Sequence, residues 1–589
     1  DRLMRKKRSI LLVAALIMVS VFFTTVPAVW GATFIVNTVE DTDDATLEDG
    51  ECDSDLNTSG LQCTLRAAIM QANATTNLDS IVFSISDTIQ PASILPTITQ
   101  TVSIDGSIGS SSNIRLDGSL AGVGTNGFVV EAPGCTIERL TITRFVMDAN
   151  ENHGYGIVLG YGSDNSFVQG CFIGTDALGS AGLGNTSGIG IWSSGNVIGG
   201  STPDQRNVIS GSTYNGIIIR EADAFLNTVQ GNYIGTAPDG ISALPNIVNG
   251  ISILNSRQNT IKENLLSGNE TGVYIWTNTG FYQNSSLNQI QGNLIGTDSN
   301  GVAAIENSYA GVVIENASDN TVGGTEIEAR NIISGNTYFG ILLWESIANN
   351  LQGNYIGTDI TGTQALPNGW DGMRIQESSG NTIGGGTGIT LGGNCIGTCN
   401  LISGNADDGI DIRGGGATGN IVQGNFIGVT VDGNLVPEIK NVGTGIEITD
   451  GSTNKIGPFA PGIEIDPANG NIIAGNGSDG VRISGDSATG NTVRGNAIYK
   501  NTGIGINLVG GDGEHDNGVT PNDVYDADSG PNGLMNFPVG VTAFFDETAN
   551  VSVISGIWPG LDPEPVIVDC YASDDVDGSG SGEGRRYLC

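Results

Sequence analysis

The stretch GISILNSRQNTIKENLLSGNETGVYI, residues 250–275, opens and closes on one four-residue pattern: Gly, an aliphatic residue, any residue, an aliphatic residue. The two glycines, Gly250 and Gly272, stand 22 residues apart, with a second short alternating segment starting at Asn259 between them. A β-propeller blade needs roughly 40 residues and hairpins that reverse direction. Twenty-two residues suit one coil of a solenoid, whose strands pair in parallel with those of the next coil about 4.8 Å away. The stretch therefore predicts a parallel β-helix.

The rest of the chain repeats the pattern. G-[IVM]-x-[IL] recurs from Gly156 through Gly188, Gly216, Gly311 and Gly340 to Gly505, and N-[TV]-[IV] recurs from Asn196 to Asn491. A longer unit, QGNYIGTD and its variants, starts at Gln169, Gln230, Gln291 and Gln352, always 61 residues on. Two G-I-x-I strands fall within each such unit, so it reads as two coils, one carrying an extra loop such as GTDSNG at 296–301. The insertion at 384–400 stretches the later spacing to 71 without breaking the pattern, as a solenoid tolerates on one face. The two aliphatic residues should point inward and stack, while Gly supplies turn conformations and Asn forms ladders along the stack. About 12 or more coils would give a rod of roughly 60 Å.

Bulk properties narrow the class. The 589 residues include 90 Gly and carry a formal net charge of −39, so nucleic acid is excluded as a partner by repulsion. With 38% hydrophobic residues the chain has enough to bury, which argues against global disorder. Arg5–Arg8 are basic, residues 10–23 are apolar, and small residues follow around Ala28–Ala32. That is the layout of a signal peptide, with an uncleaved anchor as the alternative. A secreted or cell-surface location follows, with no membrane insertion of the mature chain, because no later run reaches about 18 apolar residues. In such a compartment the close cysteine pairs Cys52/Cys63, Cys395/Cys399 and Cys570/Cys589 read as disulfides. The sequence thus divides into a signal peptide (1–32), an N-terminal capping element (33–80), a β-helix (81–510), an Asp/Asn-rich linker (511–538) and the start of a β-sandwich-like domain (539–589), which reads as truncated.

One segment carries a family resemblance. ECDSDLNTSGLQCTLRAAIMQAN, residues 51–73, resembles the element named for the motif Cys-Ser-Leu-Arg-Glu-Ala. That element occurs on exported bacterial proteins whose body is a right-handed parallel β-helix of the pectin-lyase type. Cys63, Thr64, Leu65, Arg66 and Ala68 match, and Ala67 stands where the family usually has Glu. The resemblance implies the fold and the location but no activity. Its amphipathic pattern, Leu65, Ile69 and Ala72, reads as a cap over the first coil.

Outward positions follow from the strand register. The residue after the second aliphatic position gives Trp192, Trp276 and Trp344, and the position two before the Gly gives Tyr214, Tyr338 and Trp370. These six could form an aromatic platform for sugar rings; alternatively, the GTD loops fold back and bury them in a secondary core. Further along, the columns become charged. Asp408, Asp411 and Glu447, with Asp371, Arg374, Arg413 and Arg482 nearby, read either as a salt-bridged ladder or as a carboxylate pair for glycoside cleavage. Asp512, Asp516, Asp523, Asp526 and Asp528 read equally as a calcium loop or as an unliganded acidic linker; no other cofactor is required. The functional expectation is a surface or matrix protein whose face binds polysaccharide. A lyase or hydrolase acting on acidic glycans, and a non-binding spacer, are the alternatives.

Overall fold

The computed structural model describes residues 31–589 apart from 48, 109–110, 113, 151–153, 279, 281–283, 387–392, 459–465, 511–518, 524–527, 560–566, 574–582 and 589. Residues 1–30 of the expected signal peptide (1–32), Asp512, Asp516, Asp526 and the Cys589 half of its expected pair lie outside the described residues. No helix among the described residues is long and apolar enough to cross a membrane.

The chain is a parallel β-helix. Three sheets of 15, 14 and 13 strands run its length, and every neighbouring pair within them is parallel. From Phe128 onward each coil contributes one strand to each sheet. The G-I-x-I segments form the third sheet: Asn249–Leu254 pairs with Thr271–Trp276, then come Ala310–Glu315, Phe339–Trp344, Met373–Gln376, Ile410–Arg413, Ile446–Thr449, Val481–Ser484 and Ile506–Val509. Their aliphatic pairs stack inward; Ile251, Ile253, Val273, Ile275, Val312 and Ile314 are completely buried.

The repeated Gly of these strands plays a different part from the turn role expected of it. A Cβ on Gly272 would stand 2.6 Å from the Gly311 carbonyl oxygen and 2.7 Å from Ile295 Cγ2. The residue faces a full interior, and only hydrogen fits. The register skips here, pairing Asn249 with Thr271 and then Ile251 with Val273. The turn glycines are those of the IGT segments, where Gly235, Gly296 and Gly357 have φ of 89°, 84° and 83°, a region open mainly to Gly.

Buried Asn side chains link the coils at the corners. One ladder runs Asn207, Asn232, Asn264, Asn293, Asn331, Asn354, Asn400, Asn425, Asn471, Asn496, each Nδ2 donating to the next Oδ1 at 2.8–3.1 Å. Two others run from Asn196 to Asn491 and from Asn246 to Asn501. Most of these Oδ1 atoms also accept a backbone N–H from the preceding coil, as Asn293 does from Asn264 at 3.0 Å. The ladders thereby supply partners to polar backbone buried at the corners.

The GTD loops are small self-capped turns. Asp298 Oδ1 accepts Val302 N and Ala303 N at 2.9 and 3.1 Å, and Asp359 does the same for Thr363 and Gln364. Where Ala237 replaces the Asp, Asp239 takes over, accepting Ile241 N and Ser242 N at 2.9 Å. Successive loops bond one another, Ser299 N to Gly240 O and Ile360 N to Gly301 O. They lie on the outer side of the second sheet, with Gly240 against Tyr233 and Gly362 against Tyr355 and Leu401. The secondary core they cover contains Ile332, Tyr355, Leu401 and Phe426, joined by the Cys395–Cys399 disulfide.

Both ends are closed. The helix Leu65–Asn73 is capped by Thr64, whose hydroxyl accepts Ala67 N at 2.9 Å, and packs Leu65, Ile69 and Ala72 into the core beside the Cys52–Cys63 disulfide. Ala67 is fully buried. Thr33–Val36 forms the first strand of the first sheet, pairing with Asp79–Phe83. At the far end Asn532 accepts Asn491 N at 2.9 Å and Glu583 accepts Asn501 N at 3.1 Å, terminating two ladders. Beyond lies an antiparallel hairpin, Val539–Asp546 with Val551–Ile557, and a short antiparallel pair, Tyr571–Ala572 with Arg586–Tyr587.

Candidate functional site

With the loops over the second sheet, the outer face of the third sheet carries three columns of side chains. The x column reads Tyr274, Val313, Leu342, Arg374, Asp411, Glu447, Arg482, Asn507 in consecutive coils. The column two residues on reads Trp276, Glu315, Trp344, Gln376, Arg413. A third column stands one residue before the inward Gly and contains Ala310, Phe339, Asp371, Asp408 and Asp479. The sequence register, counted without the skip at Gly, misses it.

The first half is apolar. Ala310, Val313, Phe339 and Leu342 form a small buried cluster with Tyr274, Tyr309 and Tyr338 against it. Trp344 and Trp370 remain 40% and 45% exposed at its margin. Trp370 packs edge-on against Tyr338 at 4.6 Å between centroids, and the Arg374 guanidinium lies 4.7 Å from the Phe339 ring centroid. Trp276 is half-buried and stacks on Tyr274, whose hydroxyl donates to Glu315. Burial and that carboxylate push the Tyr274 phenol up. The other expected platform residues lie apart: Trp192 is partly covered by Arg220, 5.0 Å from its ring, and by Tyr155 edge-on, and Tyr214 is exposed near it in sequence order of the coils.

The second half is charged and buried. Arg374 bonds Asp371 at 2.9 Å and lies 3.0 Å from Asp411, which Arg413 approaches at 3.2 Å from the rim. Asp411 has no exposed side-chain surface, and neither contact to it is aligned as a hydrogen bond. Asp408 Oδ1 accepts Thr444 N at 2.6 Å, and its carboxyl shares a hydrogen bond with Glu447, toward which Arg482 points from 3.8 Å. Burial, then the Glu447 charge, pushes Asp408 up to about 9. Burial pushes Asp371 up to about 7 against the pull of Arg374, and raises Asp411 too. The face thus brings together Asp408, Asp411 and Glu447, the expected carboxylates, and adds Asp371.

Carboxylate oxygens of Asp371, Asp407 and Asp408 lie within 4.8 Å of one another, a spacing that could hold a metal ion. A cation there would compete with Arg374 for Asp371. Of the five aspartates in the acidic linker, Asp523 and Asp528 are described; the Asp523 backbone N–H donates to Asn536 Oδ1 at 2.9 Å.

No family model and no curated protein matches the chain. Among solved structures it is similar to the A-module of the mannuronan C-5 epimerase AlgE4 of Azotobacter vinelandii, at 12% identity and a TM-score of 0.34 over 76% of this chain and 94% of that one. It is also similar to the PL6 family polysaccharide lyase Pedsa3628 of Pseudopedobacter saltans, at 12% identity and 0.33 over 71% and 88%. A third is PfbA, a surface adhesin of Streptococcus pneumoniae, at 10% and 0.27 over 75% and 87%. Overlaps this loose carry no information about chemistry.

Proposed function

We propose that the protein is exported and binds polysaccharide along the outer face of its third sheet. The observation that carries this reading is the half-exposure of Trp344 and Trp370 beside the apolar cluster of Phe339 and Leu342, on a face the GTD loops leave open. Flat aromatic surface next to hydrogen-bonding groups suits the apolar faces and hydroxyls of sugar rings. Arg374 and Gln376 supply such groups in the following coil. The Cys52–Cys63 and Cys395–Cys399 disulfides accord with an oxidising compartment outside the cytosol. Tyr338 packs against Trp370, Trp276 stacks on Tyr274 two coils before Trp344, and Trp192 and Tyr214 stand outside the platform.

The test is a glycan array read with wild type and the Trp344→Ala/Trp370→Ala double variant. Binding should fall tenfold or more, each lost stacking contact being worth about 1 kcal/mol. A folded double variant that binds as wild type does would reject the reading, and a stiff, non-binding spacer would replace it. Cleavage of the bound glycan is a second reading, favoured by the hydrogen-bonded pair Asp408–Glu447 beside the buried Asp411. New reducing or unsaturated ends that disappear in Glu447→Gln would establish it.

A further inference from the structure

Beyond the charged half of the face the third sheet ends in a cavity of about 270 Å³, lined among others by Ser478, Asp479, Arg482, Thr502, Gly503 and Asn507. The x column passes into it, since Asn507 follows Arg482 in register. Its geometry repeats that of the Asp408 site. Asp408 accepts the backbone N–H of Thr444 and faces Glu447 in the x column of the next coil. Asp479 likewise accepts Ile504 N at 2.9 Å and faces Asn507, in the x column of the coil after its own. In both places a Gly permits the approach: a Cβ on Gly443 would stand 2.3 Å from Asp408 Oδ1, and one on Gly503 2.1 Å from Asp479 Oδ1.

The difference between the two sites is the amide. Asp408 faces another carboxyl, Glu447, whereas Asp479 faces an amide, and Asn507 Nδ2 donates to Asp479 Oδ2 at 2.8 Å. That leaves Asn507 Oδ1 buried in the cavity wall with no hydrogen-bond partner, on a side chain 2% exposed. A buried acceptor left alone is costly and is ordinarily matched by a donor. Arg482, which also faces Glu447 at 3.8 Å, lines the same space. A hydroxyl group supplies the donor that Asn507 Oδ1 lacks, and its oxygen is compatible with the guanidinium alongside. A carboxylate or sulfate would face Asn507 Oδ1 and Asp479 with like partial charge, and a chain of net charge −39 repels polyanions at a distance. An ammonium group would be repelled by Arg482.

We infer that this cavity is a subsite for one neutral, hydroxyl-bearing sugar residue of a glycan lying along the face. The inference rests on the reading of the face as a polysaccharide-binding surface and narrows its ligand to neutral glycans. The cavity is smaller than the roughly 300–1,000 Å³ of sites for drug-sized ligands, in keeping with a single ring.

Calorimetric titration of the full chain with cellohexaose, mannohexaose and galactohexaose, and with oligogalacturonate as the acidic comparison, tests it. At least one neutral oligomer should bind and oligogalacturonate should not. Asn507→Ala should weaken the neutral ligand about tenfold, the value of one hydrogen bond to a buried group. Arg482→Gln should weaken it similarly and serves where Asn507→Ala lowers the thermal midpoint. Preference for oligogalacturonate overturns the inference. So does wild-type affinity in both variants while Trp344→Ala loses binding, a result that leaves the reading of the face intact. Absence of binding to every oligomer, with wild type folded, rejects both together.

Discussion

Asp408→Asn tests whether protons, rather than counter-ions, hold the charged half of the face together. Asp408 ordinarily titrates at 3.8, and in the fold it is pushed up to about 9 by burial and by Glu447. Between those two values the native state keeps a proton that the unfolded chain has released. Stability is therefore fully present below pH 4 or so and falls as pH rises through the window toward 9, by at most about 1.4 kcal/mol per pH unit for one proton. From pH 5 to pH 7 the loss through Asp408 is roughly 2–3 kcal/mol. Asp371, pushed up to about 7, acts in the same direction over the lower part of the range.

A solenoid of this size unfolds with an entropy near 1 kcal/mol/K, taking about 2 cal/mol/K for each of several hundred residues, so the midpoint should drop by roughly 2–3 °C. Asn at 408 can accept Thr444 N and donate to Glu447 without a titrating proton, and it should flatten the slope. Calorimetry at one scan rate, at pH 5, 6, 7 and 8, reads both proteins. A wild-type midpoint that stays level or climbs from pH 5 to pH 7 would refute the reasoning, as would an unchanged slope in the variant.

Other outcomes follow from the same geometry. Asn293→Ala removes the acceptor of Asn264 N and one of the two partners of Asn264 Nδ2 and of Asn331 Oδ1, and should destabilise by roughly 1–3 kcal/mol in denaturant titration, the cost of one buried orphan. Ile275→Asp places an unpaired charge among fully buried Val273, Ile253 and Ile314 and should abolish cooperative unfolding measured by circular dichroism. Asp298→Ala uncaps one loop and should raise proteolysis at 298–303 while leaving glycan affinity unchanged, because that loop lies over the second sheet. If the linker around Asp523 and Asp528 binds calcium, chelation should raise proteolysis there without altering the solenoid's circular dichroism; equal cleavage with and without chelator would dismiss calcium.

What the sequence made legible was whatever the coil repeats. Ile251, Ile253 and their counterparts, the corner asparagines and the 22-residue interval are set by a single geometry applied again in each coil, so pattern alone exposes them. The cysteine pairs Cys52–Cys63 and Cys395–Cys399 were legible from proximity. The site was less so, for two reasons. The skip at Gly250, Gly272 and their equivalents adds an outward residue that strict alternation hides, and Asp371, Asp408, Asp479 and Phe339 all sit there. The loops' landing place was open too: GTDSNG names a turn, but only the path of the chain after Ile295 places it over Leu294 rather than over Trp344.

The charged half of the face is where stability and composition part company. Inward columns and corner ladders are constrained by their neighbours, but the x column can take any side chain that its immediate neighbours accept. In three earlier coils it holds Tyr274, Val313 and Leu342, the last two almost fully buried, and apolar burial of that kind contributes roughly 1.5–3 kcal/mol per side chain. In later coils the same column holds Arg374, Asp411 and Glu447, with Asp371 and Asp408 beside them, three of these carboxylates almost fully buried and pushed toward the neutral form. Burying such a group costs several kcal/mol before its partners repay any of it, and apolar replacements of similar volume are often at least as stable. The fold demonstrates that the apolar solution is available a few ångströms away. Ion pairing with Arg374 and Arg482 is then a consequence of having the acids there rather than the reason for them, and stability alone does not account for the gathering of polar groups on this face.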